Sequence, residues 1–107
     1  MAVRRGEIWW ADLDAPAGRR PVVLLSRDES YGVRNQATVA FVTTRIRDIP
    51  VEVQLGPEEG LPQPCAVNLD NINTVGLDRL REQVGSLSRA KIQAVEAALR
   101  FALAPPG

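Results

Sequence analysis

Histidine is missing from all 107 residues, which removes the usual acid–base side chain and the commonest metal ligand at once. Histidine-paired serine or cysteine triads, histidine-containing zinc sites and histidine-driven ribonuclease chemistry are all excluded. There is one cysteine, Cys65, so no internal disulfide can form, and a reducing cytosol suits the chain. Lysine is as scarce: Lys91 stands alone, and twelve of the thirteen basic residues are arginine. Either a GC-rich coding bias or a local anion-binding face would produce that skew. Apolar runs such as Pro21–Leu25 are far too short to span a bilayer, and Met1-Ala2-Val3-Arg4-Arg5 offers no apolar signal segment. The expected compartment is therefore the cytoplasm, with no membrane partner.

What is present suffices for one domain, 1–107, with a single modest core. A hydrophobic content of 45% with 24% charged residues places the chain among soluble globular proteins. Net charge is zero but unevenly spread. Residues 1–47 hold eight arginines against five acids, a net of +3, and residues 48–107 hold five basic groups against eight acids, a net of −3. Any anion-binding face therefore belongs to the first half, without global steering toward nucleic acid.

Strand signals dominate. Gly6–Leu13 reads as a strand leading into a turn at Ala15–Gly18, and Val22–Ser26 as a strand buried on both faces. Residues 27–36 form a polar loop with a helical turn, and Thr38–Thr44 is a β-branched third strand. Val51–Leu55 alternates strictly, with Glu52 and Gln54 outward; Gly56–Pro64 is an irregular loop in which Glu58 and Glu59 are plain polar residues. Cys65–Leu69 is a fifth strand, followed by a tight polar segment at Asp70–Thr74 and by a helical turn or coil at Leu77–Leu80. After a last strand at Glu82–Leu87, Ser88 caps a helix running to about Leu103. Ile92, Val95, Leu99 and Leu103 mark its apolar face, Ala98 and Ala102 fill in beside them, and Glu96 and Arg100 form an i,i+4 pair outside. The expected class is mainly β with a C-terminal helix: a small, curled antiparallel barrel carrying the helix against it. Such a barrel leaves apolar surface over, which a homodimer would cover.

Two arginines stand just ahead of a proline at Gly18-Arg19-Arg20-Pro21. Pro21 restricts Arg20 to an extended conformation, so its guanidinium sits on a stiff stem at a strand mouth, well suited to gripping phosphate. Arg45 and Arg47 flank the end of the third strand, as phosphate contacts or as solvated loop charges. Asn71 and Asn73 can read base edges, or serve as turn formers. Trp9 and Trp10 point to opposite faces, so one belongs to the core and the other is free to stack on a base. Asp12 and Asp14 share a face if extended, but the third carboxylate a metal would need is not evident, so neither metal nor cofactor is expected.

Arg5-Gly6-Glu7-Ile8-Trp9, Asp12-Leu13, Gly18-Arg19-Arg20-Pro21-Val22 and Ser26-Arg27-Asp28 together resemble the MazF/PemK (Kid) toxins of bacterial type II toxin–antitoxin pairs. The likeness continues through Val42-Thr43-Thr44, Arg45–Pro50 and Val51–Leu55. It resumes at Leu69–Val75 and Val84–Ser88 and runs into the helix at Ala94–Leu99, so it covers nearly the whole chain. The resemblance implies an SH3-like (CcdB/PemK-like) barrel, dimeric, acting as a metal-independent, sequence-selective endoribonuclease on single-stranded RNA. It also implies a separate antitoxin that occupies the substrate groove. The family's catalytic arginine and threonine map to Arg20 and Thr43, with Thr44 as the neighbour one register away. Arg19, Thr44, Arg45, Asn71 and Asn73 become candidate substrate-binding residues. Two departures bear on the cut sequence: the loop Asp14–Arg19 is shorter than usual and lacks its glutamate, and Asn71 and Asn73 stand where glutamine and arginine are usual. Two alternatives share the fold. A CcdB-like gyrase poison relies on a Trp-Gly-Ile terminus, whereas this chain ends Pro105-Pro106-Gly107. A noncatalytic RNA-binding module would have no use for an intact Arg20 and Thr43.

Overall fold

A computed structural model describes residues 3–104. Six strands, β1 (Glu7–Asp12), β2 (Arg19–Leu24), β3 (Gln36–Thr43), β4 (Glu52–Leu55), β5 (Cys65–Gly76) and β6 (Leu80–Ser86), form one sheet in the order β4-β5-β3-β2-β1-β6. Every neighbouring pair is antiparallel. A single helical turn, α1 (Asp28–Tyr31), links β2 to β3, and α2 (Arg89–Leu103) follows β6. The chain is therefore mainly β with a C-terminal helix, its sheet curled into a half-barrel. Among the described residues no helix is long and apolar enough to cross a membrane.

Both faces of the sheet are buried, which explains why the central strands are apolar without interruption. Ile8, Val23, Ala40, Val42, Val67 and Leu69 face the layer that α2 covers with Val95 and Ala98. Their neighbours Trp9, Ala11, Val22, Leu24, Ala37 and Val39 face the other way, into a second cluster completed by Val3, Val75 and Leu80. Alternation with period two sends each strand's side chains into two cores instead of a core and water. Val22, Val23 and Leu24 are all fully buried, as expected for the second strand.

The edge strands β4 and β6 are bridged by a 3-10 turn at Pro57–Glu59. Two glycines permit that approach. Gly60, with φ of +91°, presses against the Val84 carbonyl, and Gly85 presses against the Glu59 carbonyl; a Cβ on either would overlap backbone. Glu59 is no plain loop residue. It is 7% exposed and its carboxylate accepts the Gly56 N–H at 2.7 Å, so the acid is spent on tying the turn together.

Other expectations need correcting. The second strand begins at Arg19 and ends at Leu24, because Arg19 and Arg20 pair with Asp12 and Ala11 of β1. The fifth strand does not stop at Leu69: Asp70–Thr74 continues β5, since the long β3 offers partners from Gln36 to Ala40. The interruption that the polar residues suggested is a bulge. Ala40 pairs with Ile72 and Phe41 with Asn68, so Leu69–Asn71 have no partner on β3. Ser88 does cap α2, accepting the Lys91 N–H at 3.1 Å, and Leu77–Arg79 is a 3-10 turn. Leu103, however, is 66% exposed at the last turn, and Glu96 reaches Arg5 at 3.4 Å instead of pairing with Arg100. Pro105–Gly107 lie outside the described residues.

Candidate active site

Arg20 lies on β2 opposite Ala11, with its backbone extended ahead of Pro21. Its guanidinium is held at two points. The plane stacks on Phe41 with the central carbon 4.9 Å from the ring centroid, and Nη2 donates to the Val42 carbonyl at 3.2 Å. Nε is buried and has no hydrogen-bond partner, and among the described residues no carboxylate pairs with the group. A fixed cation with donor capacity to spare is the result.

Thr43 closes β3 next to that carbonyl. The β2–β3 ladder ends at Val22 and Phe41; Arg20 lies two residues beyond the first and Thr43 two beyond the second, so period-two alternation turns both toward the face of that pair. Opposed residues in such a ladder project to the same face. Thr43 Oγ1 accepts the Arg45 N–H at 3.1 Å, which fixes the side chain and leaves its own O–H free to donate. Beside it opens a cleft of about 90 Å³ lined by Trp10, Pro21, Thr43, Thr44, Pro62 and Cys65. Arg20 does not line this cleft; it reaches the rim through the Val42 carbonyl. Burial pushes the Cys65 thiol up, with Glu59 adding to the effect, so this cleft-lining group is a neutral thiol and not a nucleophile.

The remaining candidates divide. Arg19 stacks on Trp10 at 5.1 Å and pairs with Glu82 at 3.2 Å, so its charge is partly spent within the protein. Trp9 is the core tryptophan and donates Nε1–H to Glu7, while Trp10 keeps a partly exposed ring at the cleft. Thr44 is exposed and lines the cleft, whereas Arg45 and Arg47 are exposed in the segment that follows and do not line it; the Arg47 N–H is held by Glu52. Asn71 and Asn73 are exposed and hydrogen-bonded to each other, Nδ2 of Asn73 donating at 3.1 Å. They stand at the bulge end of β5 and do not enter the cleft; Asn73 is level with Val39, two residues from Phe41. Asp12 and Asp14 are engaged by Arg81 and Arg79, both at 3.2 Å. Among the described residues no cluster of three or more histidine, cysteine or acidic groups could hold a metal ion.

Residues 4–103 match the family described as "PemK-like, MazF-like toxin of type II toxin-antitoxin system". The chain belongs to that family. It is 41% identical over 100 residues to "Probable endoribonuclease MazF5" of Mycobacterium tuberculosis, covering 92% of this chain and 91% of the relative. "Endoribonuclease MazF9" of the same organism is 32% identical over 113 residues, covering 94% and 96%. Among solved structures, "Mycobacterium tuberculosis toxin MazF-mt6" superposes with a TM-score of 0.85 at 31% identity, over 94% of this chain and 99% of that one. A mycobacterial "Endoribonuclease in complex with its cognate antitoxin" gives 0.86 at 30% identity, over 99% of both chains.

One residue of this MazF/PemK member was missed by sequence reasoning. Asn68 is level with Phe41 on β3 and with Glu52 on β4, on the face where the Arg20 guanidinium lies over Phe41. Its Oδ1 accepts the Asp70 N–H at 2.9 Å, which fixes the amide and turns Nδ2 outward as a donor. The signal was a lone amide in the apolar run Cys65-Ala66-Val67-Asn68-Leu69.

Proposed function

We propose that this toxin is a metal-independent, sequence-selective endoribonuclease whose Arg20 and Thr43 act on one phosphate of single-stranded RNA. The observation that carries the reading is the Arg20 guanidinium, stacked on Phe41 and anchored to the Val42 carbonyl with a buried, unpartnered Nε. The endoribonuclease activity itself is carried over from the names of the relatives. In the proposed reaction the 2′-hydroxyl gives up its proton to solvent, its oxygen attacks the adjacent phosphorus and the bond to the 5′-oxygen breaks. The products are a 2′,3′-cyclic phosphate and a 5′-hydroxyl, the departing oxygen taking up a proton. The phosphorane between them carries extra negative charge on its nonbridging oxygens. Arg20 and the Thr43 hydroxyl stabilise that charge from fixed positions. The guanidinium of Arg20 offers donors and no acceptor, so Arg20 serves as a donor to the phosphate.

Residues 1–107 are read as one toxin domain working as a cytoplasmic homodimer. A cognate antitoxin, a separate protein, covers the cleft, as a complex with antitoxin is named for a structural neighbour. The test uses purified protein, a long natural RNA and EDTA, with new 5′ ends mapped beside an Arg20→Ala control. Discrete hydroxyl-bearing ends that fall by about 10²–10³ in rate in the variant support the reading. Gyrase-dependent DNA breaks, or RNA binding without cleavage, contradict it.

A further inference from the structure

A second opening lies at the far end of β3 from Thr43. It is a groove of about 560 Å³ bounded by Ser26, Arg27, Ser30, Arg34, Thr38 and Thr74. Its floor is built from paired strand residues, Thr38 of β3 standing level with Thr74 of β5. The Thr38 N–H donates to Ser26 Oγ at 2.8 Å, which ties the groove's floor to the end of β2. Arg27 and Arg34 are exposed on the rim, and neither makes a salt bridge among the described residues. Arg5, Arg19, Arg79 and Arg81 are each paired with a carboxylate, whereas Arg4, Arg45, Arg47, Arg89 and Arg100 are, like Arg27 and Arg34, without such a pair among the described residues; what distinguishes Arg27 and Arg34 is that they share one groove. Two unneutralised arginines and a hydroxyl-lined floor make a surface for a polyanion, opposed by the single acid Glu29 at the same groove. Neighbouring Asp28 is turned away, accepting the Arg5 N–H at 2.7 Å.

We infer that this groove is a second RNA-binding site, holding phosphates of the same strand at a distance from the scissile linkage. From Thr38 to Thr43 the strand runs about 17 Å and the odd spacing sets the two side chains on opposite faces of the sheet, so the RNA passes round the fold to the groove and meets it several nucleotides from the cut. It holds the strand chiefly by its backbone, because its two cationic groups are guanidinium donors of the kind that contact phosphate, beside the Gln36 amide and the Glu29 carboxylate. Extension of the RNA over the groove tightens binding without changing which linkage is cut. The inference rests on the nuclease reading, since it concerns how that substrate is held.

The test compares the wild-type chain with an Arg27→Gln/Arg34→Gln double variant and with Glu29→Gln. Two 2′-O-methyl oligonucleotides serve as uncleavable probes: a minimal one spanning a mapped cut site and one extended on both sides. On the extended probe the double variant binds more weakly, and its log-affinity falls less steeply with log salt, by a slope of about 1.4 for two lost phosphate contacts. Glu29→Gln binds the extended probe more tightly than wild type. The minimal probe distinguishes none of the three proteins, and cleavage of the minimal RNA is unchanged. An unchanged salt slope in the double variant overturns the inference, and so does an unaltered affinity in Glu29→Gln. A double variant that changes sedimentation while keeping its salt slope makes the groove a contact between copies of this chain, which also overturns it. If wild-type protein cuts no RNA at all, the failure lies with the nuclease reading and not with the groove.

Discussion

At the scale of single residues, the proposed chemistry depends on one guanidinium whose position is fixed by neighbours of two kinds. Stacking on Phe41 needs a planar cation, and the bond to the Val42 carbonyl needs a fork that can donate sideways. A lysine at the same place keeps the charge but loses both, so Arg20→Lys is expected to fall nearly as far as Arg20→Ala in single-turnover cleavage. Thr43→Val, which keeps shape and strand preference but removes the hydroxyl, should lose about 10²-fold in rate with an unchanged melting curve. The extended strand placement of Arg20 was legible in the sequence because Pro21 restricts the residue before it. The partners of Arg19 were not, since Glu82 is brought alongside only when β1 takes β2 on one side and β6 on the other. Cys65 supplies a separate check. Because burial raises its thiol above the ordinary range, the thiolate is scarce where a free cysteine is half ionised, at about pH 8.5. Alkylation there should be slow in the folded chain and fast after denaturation; equal rates would show the thiol to be open.

At the scale of elements, the decisive feature is that β5 continues through residues that read as a turn. Asp70, Asn71, Asn73 and Thr74 are turn formers by propensity, yet pairing with β3 holds most of this stretch in strand conformation, and the conflict is relieved in the bulge at Leu69–Asn71. Propensity is local and the β3 edge is not, so the sequence pointed to an interruption where the sheet makes a kink. Helix α2 was readable nearly to the residue because its cap and its apolar stripe are local signals. Glu59 could not be recognised as structural without knowing that Gly60 and Gly85 let its turn lie against β6. Replacing Glu59 with alanine leaves the buried Gly56 N–H without its acceptor, and should cost about 1–3 kcal/mol in denaturant unfolding. A change within a few tenths of a kcal/mol would mean that water or a shifted backbone takes over the bond.

At the scale of the whole molecule, a sheet clad on both faces gives the site its rigidity. The fully buried Ile8, Val23, Val67 and Leu69 anchor the layer under α2, and Val22, Leu24 and Val39 anchor the other, so the strand ends bearing Arg20 and Thr43 issue from packed cores. Leu69→Ala is expected to destabilise by about 2–5 kcal/mol, measured by urea unfolding. The class of the fold was readable from strand spacing and a terminal helix. The division of the apolar residues between two cores was not, because alternation alone does not say whether the second face meets water or protein. The central claim is that the substrate's own 2′-oxygen is the nucleophile at a phosphate held by Arg20 and Thr43. The most direct measurement is cleavage, in EDTA, of an oligonucleotide carrying a single 2′-deoxy residue on the 5′ side of a mapped cut site. The account predicts no cutting at that linkage while the all-ribose control yields a cyclic phosphate and a 5′-hydroxyl. Cutting of the deoxy-substituted linkage at a comparable rate would contradict it.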